Sequence, residues 1–132
     1  MTSQASPGQE PDTLGAPLRE YTDQAYRPLC ANLAEVRANI DRLDDEIVRL
    51  MAERAMYVKD AARFKRDAFQ VSAPARQAEV FEKVRRLAER HNQGFENLDQ
   101  VVDAAYRAMV AAFIANEQTY FNNMKIAGDK HA

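Results

Sequence analysis

The apolar residues of this chain recur at steps of three and four, which is the spacing of one face of an α-helix. The first stripe consists of Leu33, Val36, Ile40, Leu43, Ile47 and Leu50. From residue 29 to residue 66 the chain contains neither glycine nor proline. The pattern therefore predicts one long helix of roughly 55 Å. A helix of that length usually packs against a partner chain or against several shorter helices.

Two further helices follow a break in the pattern. Ser72 and Pro74 predict a helix start near residues 73–75, and Gly94 predicts its end. Asn97 precedes a third stripe that extends to about residue 124. No segment alternates with a period of two, so no strand is predicted. The fold class is therefore all-α, with three helices in a long–short–long order.

The ends of the chain differ in composition from its middle. Residues 1–17 are rich in glycine, proline, serine and threonine, which is typical of a disordered segment. We predict a disordered or partly helical leader at residues 1–28, a helical domain at residues 29–126 and a short tail at residues 127–132.

Composition narrows the class of protein. Lysine and arginine number 18 against 20 acidic residues, which argues against a nucleic-acid or membrane-surface binder. Cys30 is the single cysteine, and His91 and His131 lack a ligand spacing, so no disulfide and no metal are predicted. The N-terminal residues lack the pattern of a signal peptide, and the expected location is the cytoplasm.

The stretch "MAERAMYVKDAARFK" places two cations on the apolar face. The stripe leads to Arg54 and then to Lys65, and the third helix carries Glu117 on its own stripe. Long basic side chains often lie at the edge of a helical bundle with their charged ends in water. A buried pair of arginine and glutamate that fixes helix register is a second structural explanation.

The joint pattern favours a binding site. Arg54 and Lys65 are separated by about 20° around a helix and about 16 Å along it. Val58 and Ala61 lie between them and leave space for a small molecule. Arg76, in the first turn of the second helix, adds a third cation. Cations at separate points suit a ligand with more than one carboxylate, because arginine binds carboxylates in a bidentate manner.

These residues resemble those of a known family. The runs "LAEVRANIDRLDDEIVRLMAERAMYVKDAARFK", "APARQAEVFEKV" and "AYRAMVAAFIANEQ" resemble the all-helical chorismate mutases. The stretches "YVKDAARFK" and "APAR" look especially close to isochorismate-pyruvate lyase, which has the same fold. The resemblance implies an intertwined helical homodimer that shares its active sites and binds a small dicarboxylate substrate. It implies no cofactor, no metal, no nucleic acid and no membrane.

The resemblance also assigns expected roles to residues. Arg37 matches the arginine that the partner chain contributes, and Arg54 matches the arginine that binds a substrate carboxylate. Lys65 matches the lysine that contacts the ether oxygen and a carboxylate. Arg76 matches the arginine at the start of the second helix. The implied reaction, in aromatic amino acid biosynthesis, is the pericyclic rearrangement of chorismate to prephenate, which needs substrate positioning and charge stabilisation at the ether oxygen.

The sequence departs from the family pattern at three places. Gln77 stands where typical mutases have a glutamate that binds the ring hydroxyl, and Glu117 stands where most members have a glutamine. "SAPAR" lacks an aspartate that typical mutases have near the start of the second helix. Since a carboxyl group donates a hydrogen bond only when protonated, we expect mutase activity to fall as the pH rises. Gln118 is the alternative donor if the third helix is shifted by one residue.

Four functions remain open at this point. A polar Gln77 favours a mutase, because it can bind the C4 hydroxyl of chorismate, whereas the lyase resemblance implies an apolar residue there. The "APAR" loop favours the lyase, which forms salicylate and pyruvate from isochorismate. An amino-chorismate mutase of secondary metabolism is a related possibility. The alternative outside enzymes is a catalytically silent helical dimerisation module.

Overall fold

The computed structural model of the protein describes residues 8–128, and the regular elements in that range are all helical. Residues 1–7 of the predicted leader and residues 129–132 of the predicted tail lie outside the described residues. The elements are helix α1 (Leu33–Ala61), a 3₁₀ turn (Ala62–Phe64), and helices α2 (Ala68–Ser72), α3 (Pro74–His91) and α4 (Leu98–Asn123). The predicted all-α class and the long–short–long order of the main helices are confirmed by α1, α3 and α4.

The first helix ends earlier than predicted. Lys65 lies in extended backbone, with φ −98° and ψ 142°, so its predicted position on a helix face was wrong. The cause is a competing helix start at Asp67, whose side chain accepts a hydrogen bond from the Gln70 N–H at 2.9 Å. An aspartate at that position caps the one-turn helix α2, which the sequence pattern did not predict.

Both later helix starts agree with the prediction. Pro74 occupies the first turn of α3, where its missing N–H costs nothing. Ala73 precedes it in the left-handed conformation, with φ 45°, and this single residue ends α2 and begins α3. Asn97, with φ 57°, stands immediately before α4. Gly94 has φ 109° in the α3–α4 connection, a backbone conformation that glycine adopts without strain.

The chain divides into two compact units, residues 1–51 and residues 52–132. In the first unit, residues 8–32 contain turns, bends and irregular backbone but no helix, and α1 begins at Leu33. No residue of α1 is buried. Its stripe is exposed by 37% at Val36, 51% at Ile40, 44% at Leu43, 53% at Ile47 and 53% at Leu50.

The second unit has a core of its own between the turn after α1 and helices α2, α3 and α4. Its buried apolar residues are Ala62, Val71, Val80, Val84, Ala88 and Val110. Among the described residues, Glu117 is the buried charged residue, with 5% of its surface exposed. Within residues 8–128, no helix is long and apolar enough to cross a membrane.

Candidate active site

A cavity of about 320 Å³ opens in the second unit. Helices α1, α3 and α4 and the segment between α1 and α3 contribute to its walls. It brings together seven residues predicted from the sequence: Arg54, Val58, Ala61, Lys65, Arg76, Gln77 and Glu117. Arg37 is exposed in the first unit and is not among the residues that line this cavity.

Lys65 and Glu117 form an ion pair at the cavity wall. The Lys65 Nζ lies 3.2 Å from the Glu117 Oε2 and donates a second hydrogen bond, also 3.2 Å, to the Gln70 backbone oxygen. An ammonium group has three N–H donors, so one remains for a ligand. The backbone of Lys65 is extended rather than helical as predicted, but its ammonium group still lies at the predicted cavity.

Arg54 supplies a second cation, and its guanidinium lies over the Phe113 ring, 5.3 Å from the ring centre. Among residues 8–128, no carboxylate forms an ion pair with Arg54. The aromatic ring orients the guanidinium through a cation–π contact, while its N–H groups stay available to an anion. The side chain is therefore suited to bidentate binding of a carboxylate.

Arg76 lies in the first turn of α3, at the edge of the cavity. Its Nη1 pairs with the Glu79 Oε1 at 2.9 Å, and the two side chains are 60% and 71% exposed. An exposed pair one turn apart is weak, so a ligand carboxylate competes with Glu79 at little cost. The N-terminal end of α3 also favours a negative group near this arginine.

Gln77 has a fixed orientation. Its Nε2 donates to the Ser72 backbone oxygen at 2.6 Å. A backbone carbonyl only accepts hydrogen bonds, so the amide nitrogen must face Ser72 and the Oε1 is left as an acceptor. In a half-buried side chain that lines the cavity, this leaves a hydrogen-bond acceptor for a ligand hydroxyl.

The two candidate donors on α4 occupy different surroundings. Glu117 lines the cavity, whereas Gln118 does not. The Gln118 Nε2 donates to the Ala68 backbone oxygen at 2.9 Å and so holds α2 against α4. The structure therefore assigns the cavity position to Glu117 and gives Gln118 a structural contact.

Several residues that line the cavity were not predicted from the sequence: Tyr57, Val71, Ser72, Ala73, Val80, Val110, Phe113 and Ile114. Ser72 and Ala73 belong to the segment that the pattern treated as a plain break between helices. A usable signal was Asp67 followed three residues later by Gln70, which is the spacing of a helix-capping pair. Recognition of that pair would have predicted α2 and the turn that follows it.

Comparisons with known proteins support the resemblance to the all-helical chorismate mutases. The sequence model of the family "Chorismate mutase type II" matches residues 36–118. The chain is 32% identical over 97 residues to the isochorismate pyruvate lyase of Pseudomonas aeruginosa, covering 73% of this chain and 91% of that protein. Together with the helices and the cation-lined cavity, these matches show that the chain belongs to the chorismate mutase type II family.

Two other relatives carry the mutase name. The chorismate mutase of Methanocaldococcus jannaschii is 36% identical over 61 residues, or 46% of this chain and 62% of that protein. The bifunctional chorismate mutase/prephenate dehydratase of Aquifex aeolicus is 36% identical over 87 residues, or 65% of this chain and 24% of that protein. The chain thus spans less than two thirds of the length of either of these two relatives.

Proposed function

We propose that this protein is a chorismate mutase that converts chorismate to prephenate in aromatic amino acid biosynthesis. The observation that carries the proposal is the joint placement of Arg54, Lys65 and Arg76 around one cavity that also contains Glu117. The substrate carries two carboxylates and an ether oxygen on which negative charge develops during the reaction. Cations at separate points of one small cavity match that distribution of charge.

In the proposed mechanism the protein binds a reactive conformer and stabilises charge. Arg54 binds one carboxylate, with its guanidinium already oriented by Phe113. Arg76 contributes to the second, at the N-terminal end of α3. The remaining N–H of Lys65 donates to the ether oxygen as the carbon–oxygen bond breaks, because preformed donors lower the energy of a developing anion. No nucleophile or cofactor is required, since the rearrangement moves electrons within the substrate alone.

Glu117 is proposed as a second donor to the ether oxygen. Ionised Glu117 accepts a hydrogen bond from Lys65, as the distance of 3.2 Å supports, but an ionised carboxylate cannot donate. A protonated Glu117 can donate to the substrate and also removes a negative charge from beside the ether oxygen.

Gln77 supports chorismate as the substrate. Its amide nitrogen is occupied by Ser72, so the Oε1 is proposed to accept the hydrogen bond of the C4 hydroxyl. A glutamine held in this way presents the same acceptor that a glutamate does. Isochorismate carries its hydroxyl at C2 and gains less from an acceptor at this position.

The second candidate function is isochorismate-pyruvate lyase. The relative from Pseudomonas aeruginosa supports it, because the match covers 91% of that lyase. A lyase reaction would use the same carboxylate-binding cations but would not need the Gln77 acceptor.

The proposed enzyme is a homodimer with shared active sites. The exposed stripe of α1 supports association, because burying large apolar side chains contributes about 25 cal/mol for each Å² removed from water. Arg37 lies beside this stripe on the same helix and is proposed to enter the cavity of the partner chain. A dimer completed in this way gives each cavity a further cation for a substrate carboxylate.

To test the proposal, purified protein is incubated with chorismate and with isochorismate in separate reactions, and the products are followed by chromatography. Prephenate from chorismate is the expected result. Salicylate and pyruvate from isochorismate, with little prephenate, would replace the mutase by the lyase. Gln77→Leu provides the variant, since it nearly keeps the size of the side chain and removes both the acceptor and the hydrogen bond to Ser72 that orients it. We expect it to lower the rate with chorismate by about tenfold.

No turnover of either substrate would support the silent dimerisation module. Ligand binding separates that outcome from an inactive preparation. A silent module predicts that Arg54→Ala leaves the affinity for prephenate unchanged, whereas an enzyme predicts a clear loss of affinity.

A further inference from the structure

The segment before α1 exposes an unusual amount of apolar surface. This N-terminal arm, residues 8–32, carries five large apolar side chains with exposed fractions between 47% and 92%: Leu14, Leu18, Tyr21, Tyr26 and Leu29. Exposed apolar residues are common singly, but a cluster on one short segment marks an interaction surface.

The arm has a defined conformation. The Leu14 N–H bonds the Asp12 carboxylate at 3.0 Å, and the Ala25 N–H bonds the Asp23 carboxylate at 2.9 Å. Tyr21 and Tyr26 pack ring against ring, with centroids 4.6 Å apart. These local contacts restrict the conformations of the arm, so it loses less conformational entropy when it docks.

The arm is attached to the first turn of α1. The Thr13 backbone oxygen accepts a hydrogen bond from the Ala34 N–H at 2.9 Å. The Ala31 N–H is bound by the Glu35 carboxylate at 3.0 Å. Arg37 follows Ala34 by three residues, or about 4.5 Å along the helix axis. The arm therefore lies close to Arg37 and remains close to it when the protein assembles.

The cavity has exposed apolar residues at its edge. Tyr57 lines the cavity and is 72% exposed. Phe69 is 71% exposed on α2, the short helix whose Val71 and Ser72 also line the cavity. Tyr57 therefore offers apolar surface at the cavity wall, and Phe69 offers it on the neighbouring helix α2.

We propose that the arm of each protomer docks on the partner chain at the edge of the partner's cavity and forms part of its roof. The inference rests on the proposed function, because it uses the shared site that Arg37 completes. The occupant is a second copy of this chain, since the arm is hydrogen-bonded to the first turn of α1, whose exposed apolar stripe is the proposed dimer interface. The arm lies before residue 36, where the family match begins, so the family pattern does not include it.

A roof of this kind has a direct chemical consequence. Excluding water from the cavity lowers the local dielectric constant and strengthens the interactions of Arg54 and Lys65 with substrate charge. Loss of the arm should therefore weaken substrate binding without removing any of the cations.

A fluorescent reporter tests the contact directly. The chain contains no tryptophan, so Tyr21→Trp introduces a single indole on the arm. Tyr21 is 75% exposed within its own chain, whereas docking on a partner would shield it. We expect blue-shifted emission and several-fold weaker quenching by acrylamide in the dimer. Phe95→Trp is the matched control, because Phe95 is 63% exposed in the α3–α4 connection and should remain quenchable.

The outcome separates a partner contact from the alternatives. Equal quenching of both indoles in a dimer confirmed by light scattering would overturn the proposal. Shielding of the arm's indole that persists in a monomer made by Ile47→Glu would also overturn it, because the contact would then lie within one chain. These readouts need no activity, so they stand even if the mutase proposal fails.

Arm removal provides the functional test. A chain that begins at residue 30 keeps the Ala31–Glu35 hydrogen bond and loses the five exposed apolar residues. At concentrations where light scattering shows a dimer, we expect KM for the active substrate to rise by about tenfold, with kcat changed much less. An unchanged KM in that dimer would show that the arm is not a roof.

Discussion

The two units of this chain have the same helical spacing of apolar residues but bury them to different extents. In residues 52–128 the stripes of α3 and α4 face each other, and Val80, Val84 and Val110 are buried. In residues 8–51 the stripe of α1 is just as regular, and no residue of it is buried. A stripe in a sequence therefore indicates that a face will be covered, but it does not indicate which chain covers it.

The difference extends to the functional residues. The second unit contains the cavity and three of its cations, Arg54, Lys65 and Arg76. The first unit contributes Arg37, which is exposed on the surface. We infer that the first unit functions mainly through the partner chain, while the second holds the chemistry.

The largest expected effect concerns the second unit. Arg54→Ala should lower kcat/KM for chorismate by about a thousandfold, because it removes a charge-assisted contact in the cavity. The thermal midpoint should change little, since Arg54 forms no ion pair among the described residues and its contact with the Phe113 ring is a weak one. Arg86→Ala is the matched control, because Arg86 makes an exposed pair with Glu82 away from the cavity. Similar losses in both variants would contradict the assignment.

A charge on the stripe of the first unit should disrupt assembly. Ile47→Glu places a carboxylate in the proposed dimer interface, at a cost of several kcal/mol for burial without a partner. We expect a monomer in light scattering, with activity lost and much of the helical signal of the second unit retained. Arg49→Glu introduces the same residue about 200° away around the helix and should remain dimeric. Dimerisation of both variants would show that the α1 stripe is not the interface.

The core of the second unit should respond independently of assembly. Val84 is 3% exposed, and Val84→Ala should lower the free energy of unfolding by about 2 kcal/mol through lost burial and a small cavity. Val36→Ala makes the same change on the exposed stripe, so its effect should depend on protein concentration. Thermal denaturation at several protein concentrations distinguishes the two variants. If the destabilisation depended on concentration in the same way in both, the contrast between the two units would be wrong.

The smallest expected effect concerns the hydrogen-bond donor on α4. Glu117→Gln replaces a carboxylate by an amide that donates a hydrogen bond at every pH, so kcat with chorismate should rise by about threefold. A loss of kcat of about tenfold in this variant would exclude a donor role at position 117.

The sequence predicted the parts of the fold that depend on local signals. Pro74 marks a helix start because its fixed φ suits the first turn, and Asn97 marks one because asparagine tolerates the left-handed conformation found there. The end of α1 was missed because Asp67 caps a second helix, α2. A cap acts through one or two hydrogen bonds over a few residues, so it is not visible in the longer apolar pattern. Lys65 was still assigned to the cavity, since a residue just after a helix end remains near the same site.

The candidate site was predictable to the extent that it lies within one unit. Six of its residues could be named from an apolar stripe or a helix start, and Gln77 was named from the family resemblance. The orientation of the Gln77 amide could not be predicted, because it depends on the Ser72 carbonyl, which immediately precedes the left-handed residue Ala73. The proposed role of Arg37 depends on a second chain, and residue spacing within one chain cannot predict a contact between two chains.

The central claim is that each cavity is completed by Arg37 of the partner chain, and mixed dimers test it most directly. Arg37→Ala and Arg54→Ala chains are each expected to be nearly inactive alone. Co-refolded in equal amounts, they form mixed dimers in which one cavity has Arg54 from one chain and Arg37 from the other. We expect recovery of about a quarter of the native activity, since half of the dimers carry one intact site of two. No recovery in a sample that light scattering shows to be dimeric, from chains that exchange freely, would contradict it.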